Sequence, residues 1–98
     1  MKLELQDCLN SLVKYKQLRG EQLGILRLGV FGSVARQKNT EDSDLDVVVE
    51  MEKPSLRQIY ELERELNEIF NCKIDIVQMR STLRPLLKRN IQQEAIYV

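Results

Sequence analysis

The sequence predicts a small α/β domain of the α+β type, with a mixed β-sheet and helices packed mainly against one face of it. Two observations predict this class. Helical and strand-like segments alternate in the order helix, strand, strand, helix, strand, helix. The second and third strands are separated by a helical segment of about 15 residues, the kind of connection that a parallel pair needs. With 98 residues and 43% hydrophobic content, residues 1–98 fit a single domain with one modest core.

The first half of the chain is predicted to form one helix and two strands. Apolar residues recur at helical spacing over residues 2–19, and Gly20 is expected to end that helix. The apolar segment Ile25–Phe31 predicts the first strand, and residues 44–51, which contain three consecutive valines, predict the second. We expect these two strands to pair antiparallel.

The next segment carries a helix with recognisable ends. Ser55, followed three residues later by Gln58, fits a capping box at the start of this helix. An apolar stripe then runs opposite a face of alternating charges, as far as Asn71, the expected helix stop.

The last quarter of the chain is predicted to add a third strand, at residues 72–79, and a final helix. Either Ser81 or Thr82 can cap this helix, with Pro85 tolerated in its first turn. The final residues, 95–98, could end the helix or add a short strand.

The amino-acid composition argues against several classes of function. The chain has 15 basic and 15 acidic residues, a balance that does not predict nucleic-acid or membrane-surface binding. It has no histidine, and Cys8 and Cys72 lack metal-type spacing, so neither a zinc site nor an imidazole base is expected. No segment is long enough to span a bilayer and none resembles a signal peptide, so we expect a cytoplasmic protein without membrane partners.

Three aspartates are predicted to converge on the non-core side of the sheet. Side chains alternate faces along a strand, so Asp44 and Asp46 share one face, roughly 7 Å apart along the chain, while the intervening apolar residues face the core. On the third strand, Asp75 lies between two isoleucines and should point to the same side as the other two. Each aspartate taken alone could equally be an exposed charge, and Asp75 an edge-strand charge that discourages aggregation.

Such a cluster of carboxylates suits divalent cations. Mg²⁺ binds a few carboxylate oxygens together with phosphate oxygens and water, and two such ions are the usual apparatus of nucleotidyl transfer. Gly32 and Ser33, at the start of a short helical turn, could hold a polyphosphate through backbone N–H groups, and Arg36 could add a charged contact. The alternative for the Gly-Ser pair is a simple helix cap.

Taken in order, "GS" followed by "AR", then "SDLDVVVE", then "KIDIV" resemble the nucleotidyltransferase signature of the DNA polymerase beta superfamily. More closely, they resemble the minimal nucleotidyltransferases (MNT), the partners of HEPN-domain toxins, over nearly the whole chain. The resemblance implies a nucleotidyltransferase-like fold in which Gly32 and Ser33 grip a triphosphate, together with Arg36. One departure is Gln37, where many relatives have glycine.

The resemblance also implies roles for the carboxylates. Asp44 and Asp46 match the metal-binding pair, and Asp75 matches a third carboxylate that shares a metal and helps to deprotonate the acceptor hydroxyl. Two Mg²⁺ ions and ATP are the implied cofactor and substrate.

The function that the resemblance implies is transfer of AMP from ATP to a tyrosine hydroxyl of a partner HEPN toxin, which silences the toxin. An alternative is an antitoxin that neutralises its partner by binding alone. Modification of a small molecule ranks lower, because the chain offers no obvious domain for binding such an acceptor.

Overall fold

The computed structural model describes residues 2–98, which form four helices and one four-stranded sheet. The helices are α1 (Leu5–Leu23), α2 (Gly32–Ala35), α3 (Leu56–Phe70) and α4 (Pro85–Glu94). The strands are β1 (Ile25–Phe31), β2 (Leu45–Met51), β3 (Ile74–Gln78) and β4 (Ile96–Tyr97). Within this part of the chain, none of the helices combines the length and the apolar character needed to cross a membrane.

The sheet has the strand order β3-β2-β1-β4 and is mixed, as predicted. Strand β1 pairs antiparallel with β2 and with β4, and β2 pairs parallel with β3. Of the two alternatives for the chain end, the short strand is the one observed. Gly29 makes this pairing possible, because a Cβ at that position would lie 2.6 Å from the carbonyl oxygen of Ile96.

One face of the sheet carries most of the core, which confirms the predicted layering. Leu45, Val47 and Val49 of β2 are fully buried there. Most of the other core residues come from β1 and from the helices α1 and α3, and they include Leu28, Val30, Leu12, Tyr15, Leu62 and Leu66. Burial of apolar side chains on both sides of this interface is the main force that holds the two layers together.

The second face is less open than the sequence indicated. Val48 points away from the main core but is fully buried, and so is Ile91 of α4, which also lies outside the core cluster. Connection handedness explains this. The β2–α3–β3 and β3–α4–β4 connections both join parallel strands but move across the sheet in opposite directions, so right-handed crossovers put α3 and α4 on opposite faces.

Helix α1 extends further at its C-terminal end than predicted. Gly20 is buried within the helix, and the chain leaves the helix only at Gly24, which has a left-handed φ of 67°. The backbone N–H of Gly24 donates to the carbonyls of Gly20 and Glu21. A glycine inside a helix costs about 1 kcal/mol, and burial of Leu23 in the extra turn offsets that cost.

The ends of α3 agree with the sequence and the start of α4 does not. The Ser55 hydroxyl accepts a hydrogen bond from the backbone N–H of Gln58, and Asn71 ends α3 in the left-handed conformation. Neither Ser81 nor Thr82 caps α4, which begins at Pro85 without a side-chain cap. Proline at a first helical position has the required φ and has no N–H that needs a partner, so a cap can be dispensed with.

Candidate active site

The turn after β1 brings a glycine against an aspartate of the neighbouring strand. Gly32 begins α2 with a φ of 72°, and a Cβ at this position would lie 2.1 Å from Oδ2 of Asp46. Both facts exclude a side chain here: the conformation strains other residues, and the carboxylate occupies the space. Sequence reasoning singled out Gly32 for its approach to phosphates. The structure adds that Gly32 makes room for Asp46.

Asp46 and Asp75 are neighbours across the parallel pair β2 and β3. They are partners in register, so their side chains leave the sheet on the same face. Asp44 comes just before β2, and its Oδ2 lies 3.7 Å from Nζ of Lys73, a contact that the sequence did not reveal. The predicted convergence is therefore seen for Asp46 with Asp75, and Asp44 lies at the mouth of the same strand.

The charge on Asp46 is unfavourable in the folded chain. Burial raises the pKa of the Asp46 carboxyl above its ordinary value, and the negative charges of Asp75 and Asp44 raise it further. The guanidinium of Arg36 opposes this shift, and Glu94 adds to it. These five groups, from four different parts of the chain, thus lie near enough to one another to form one electrostatic site.

The residues present fit a hard divalent cation. A half-buried aspartate with two carboxylate neighbours is an oxygen donor set whose mutual repulsion a cation would relieve. Within residues 2–98, no three histidine, cysteine or acidic side chains already enclose a metal position. Mg²⁺ does not require such a cage, because it keeps several waters and binds substrate phosphates alongside one or two carboxylates.

Arg36 lies at the C-terminal end of α2, at the edge of the same site. Its Nη1 donates a hydrogen bond to Oε1 of Glu94 at 2.9 Å, which links α2 to the end of α4. The sequence analysis missed Glu94. The two residues are 58 positions apart, and no pattern in the chain pairs them.

Ser33 follows Gly32 in the turn and is partly exposed. Its carbonyl accepts a hydrogen bond from the backbone N–H of Lys38, and the Gly32 carbonyl accepts one from the N–H of Arg36. These bonds close a tight loop, which fixes the turn that holds Gly32 beside Asp46. Gln37, at the departure from the family pattern, takes a left-handed φ of 57°. Glycine would adopt this conformation without strain, and Gln37 shows that the turn keeps it with a side chain present.

A family model described as a nucleotidyltransferase domain matches residues 12–98. The chain belongs to this nucleotidyltransferase family. Among its relatives is the protein adenylyltransferase MntA of Thermococcus cleftensis, which is 35% identical over 97 residues that cover 98% of this chain and 97% of the relative. The resemblance seen in the sequence is thereby confirmed, and so is the predicted enzyme class, an adenylyltransferase.

Solved structures agree with this family. A minimal nucleotidyltransferase superposes with a TM-score of 0.80 at 34% identity, over 96% of this chain and 95% of that one. A chain in the complex of tri-AMPylated Shewanella oneidensis HEPN toxin with MNT antitoxin superposes with a TM-score of 0.68, over 95% of this chain and 70% of that one. Its identity of 20% shows a shared fold alone.

Proposed function

We propose that this adenylyltransferase transfers AMP from ATP to a tyrosine hydroxyl of a HEPN-family toxin and acts as the antitoxin of that toxin. The observation that carries the proposal is the in-register pair Asp46 and Asp75, set against the Gly32 turn. Two of the similar proteins support it: one is named a protein adenylyltransferase, and another is an MNT antitoxin in complex with an AMPylated HEPN toxin.

In this proposal the turn after β1 binds the nucleotide. The backbone N–H groups at Gly32 and Ser33 hold the triphosphate, since successive backbone N–H groups in a turn form a concavity that binds anions. Arg36 contacts a phosphate oxygen and stabilises the charge of the departing pyrophosphate.

The carboxylates would hold two Mg²⁺ ions, with Asp44 and Asp46 binding beside the triphosphate and Asp75 sharing one ion near the acceptor. Bound Mg²⁺ supplies neutralisation of the phosphate charge and a lower pKa of the acceptor hydroxyl. Asp75 takes the hydroxyl proton on a carboxylate oxygen. The tyrosine oxygen then bonds to the α-phosphorus, the bond from that phosphorus to the bridging oxygen breaks, and pyrophosphate leaves.

The test is transfer of label from [α-³²P]ATP to a purified HEPN toxin in the presence of MgCl₂. The double variant Asp44→Asn with Asp46→Asn should lose transfer by at least about a hundredfold, because it removes both charged metal ligands. A matched control, Glu41→Gln with Asp42→Asn, removes two exposed charges from the preceding turn and should transfer normally. Transfer at the normal rate by the double aspartate variant would disprove the proposed site.

The alternative, neutralisation by binding alone, has one observation in its favour. The outer side of α3 exposes Leu56 and Tyr60, which are 77% and 68% accessible and could serve as contacts for a partner. Protection of cells from the toxin by the double aspartate variant would favour binding. Failure to protect, with complex formation intact, would favour catalysis. The cytoplasmic location and the single domain over residues 1–98 stay predictions from the sequence.

A further inference from the structure

An ion pair joins the turn after β1 to the last residue of α4. Nη1 of Arg36 lies 2.9 Å from Oε1 of Glu94, and their side chains are 50% and 28% accessible. We propose that Glu94 is a positioning residue, which holds the Arg36 guanidinium at the edge of the carboxylate site in the orientation that binds the phosphates of ATP. This inference rests on the proposed function, because it assigns Arg36 to the nucleotide.

The geometry of the pair leaves Arg36 able to bind a second anion. Glu94 engages a single terminal nitrogen through a single oxygen, and this is the one hydrogen bond that the Arg36 side chain makes within residues 2–98. A guanidinium has five N–H donors in a planar fork. The donors that Glu94 leaves free can therefore meet a phosphate oxygen while the ion pair persists, whereas a two-pronged pair would have competed with the phosphate.

The location of Glu94 gives the contact its significance. Glu94 ends α4, the helix on the face of the sheet to which Asp46 points. Both Arg36 and Glu94 lie near enough to Asp46 to affect its pKa, which Arg36 lowers and Glu94 raises. A half-exposed arginine without a partner samples many rotamers, and ATP would have to order it on binding. An arginine already held in place avoids that loss, which is the general advantage of preorganisation.

The experiment measures binding of the fluorescent nucleotide N-methylanthraniloyl-ATP with MgCl₂, and AMP transfer to the HEPN toxin, for the same variants. Glu94→Ala should weaken nucleotide affinity about five- to tenfold and lower kcat by a smaller factor, because Arg36 also stabilises the charge of the departing pyrophosphate. Glu94→Gln keeps an oxygen acceptor, so its nucleotide affinity should lie between those of the unmodified chain and Glu94→Ala. In an Arg36→Ala background, Glu94→Ala should cause no further loss, because Glu94 acts through Arg36.

The control variant breaks a longer ion pair, of 3.9 Å, at a different place. Glu50→Ala removes the acidic partner of Arg27, an arginine with similar exposure to Arg36, and should leave nucleotide affinity unchanged. Thermal unfolding of each variant checks that it is folded. If Glu94→Ala does not fold, the milder variant Glu94→Gln takes its place in the comparison.

Three outcomes would overturn the inference on its own. Tighter nucleotide binding by Glu94→Ala would mean that Glu94 competes with ATP, and an equal loss in the Arg36→Ala background would mean that it acts independently of Arg36. An unmodified chain that binds no nucleotide would overturn both this inference and the proposed function. Normal nucleotide binding and AMP transfer in the unmodified chain, with Glu94→Ala unaffected, would overturn only the inference.

Discussion

At the scale of single residues, Gly32 and Asp46 depend on each other. The left-handed backbone of Gly32 and the position of the Asp46 carboxylate leave no volume for a side chain between them. Burial and the acidic neighbours of Asp46 destabilise its ionised form. The surrounding backbone therefore has to hold the carboxylate in place. Active sites often keep such costly arrangements, because the function requires them.

Replacing Gly32 with alanine should therefore damage the site and the fold together. We expect Gly32→Ala to lower the free energy of unfolding by about 1–2 kcal/mol from backbone strain, measured by chemical denaturation, and to reduce AMP transfer by about tenfold or more because Asp46 must move. Gly20→Ala is the matched control. Gly20 lies inside α1, where alanine is favoured and the nearest atom is a side-chain carbon of Lys16 at 3.3 Å. Equal losses in both variants would contradict the explanation.

The raised pKa of Asp46 has a definite consequence for stability against pH. The folded chain holds the Asp46 proton more tightly than the unfolded chain, so the ionised form destabilises the fold at neutral pH. Asp46→Asn should unfold at a higher temperature than the unmodified chain at pH 7. The difference should shrink as the pH falls through the raised pKa and vanish below the ordinary value of 3.8.

The unmodified chain and Asp46→Asn also test whether the site binds a divalent cation. Adding MgCl₂ at pH 7 should raise the melting temperature of the unmodified chain and have less effect on Asp46→Asn, since a ligand stabilises only the state that binds it. Asp42→Asn removes an exposed charge nearby and should behave as the unmodified chain does. Without MgCl₂, a lower melting temperature at pH 7 for Asp46→Asn than for the unmodified chain would contradict the upward direction assigned to the pKa of Asp46.

At the scale of elements, a polar network ties α1 to α3 on the side of the core away from the site. The Tyr15 hydroxyl donates to Oε1 of Glu65 at 3.0 Å, and Nε of Arg19 donates to the same oxygen at 2.9 Å. Although burial opposes it, the hydrogen bonds from Arg19 and Tyr15 hold the pKa of Glu65 below its ordinary value. The ionised Glu65 thus stabilises the contact between the two helices.

Removing this acceptor should loosen the packing of α1 on α3. Glu65→Ala leaves the Tyr15 hydroxyl, on a side chain only 4% accessible, without its partner. Leaving this buried donor unpaired should cost about 1–3 kcal/mol of unfolding free energy at pH 7. The contribution of ionised Glu65 is present above pH 4.5 and is lost as the pH falls through its lowered pKa, so the difference in stability between the two proteins should narrow in acid. The exposed Glu68→Ala on the same helix should change stability little, and a matching loss there would contradict the network.

At the scale of the whole molecule, the two crossover connections determine how the site is built. Because β3–α4–β4 crosses back over the sheet, α4 covers the face opposite to α1 and α3. Asp46 and Asp75 lie on that second face, and Glu94 of α4 arrives at its edge beside Arg36. A chain of 98 residues thus forms a core with one face of its sheet and a polar site with the other.

By itself, the sequence determined the order of the elements up to α4, the limits of β1 and the ends of α3, while the role of the three carboxylates stays a prediction. These follow from local physics: alternation along a strand, a serine cap, and an asparagine that tolerates the left-handed conformation. Only the tertiary structure decided that α1 runs past Gly20, that α4 starts without a cap, and that Glu94 reaches Arg36. Those outcomes depend on burial and contacts between distant parts of the chain, and spacing along a sequence does not encode which of its faces will meet.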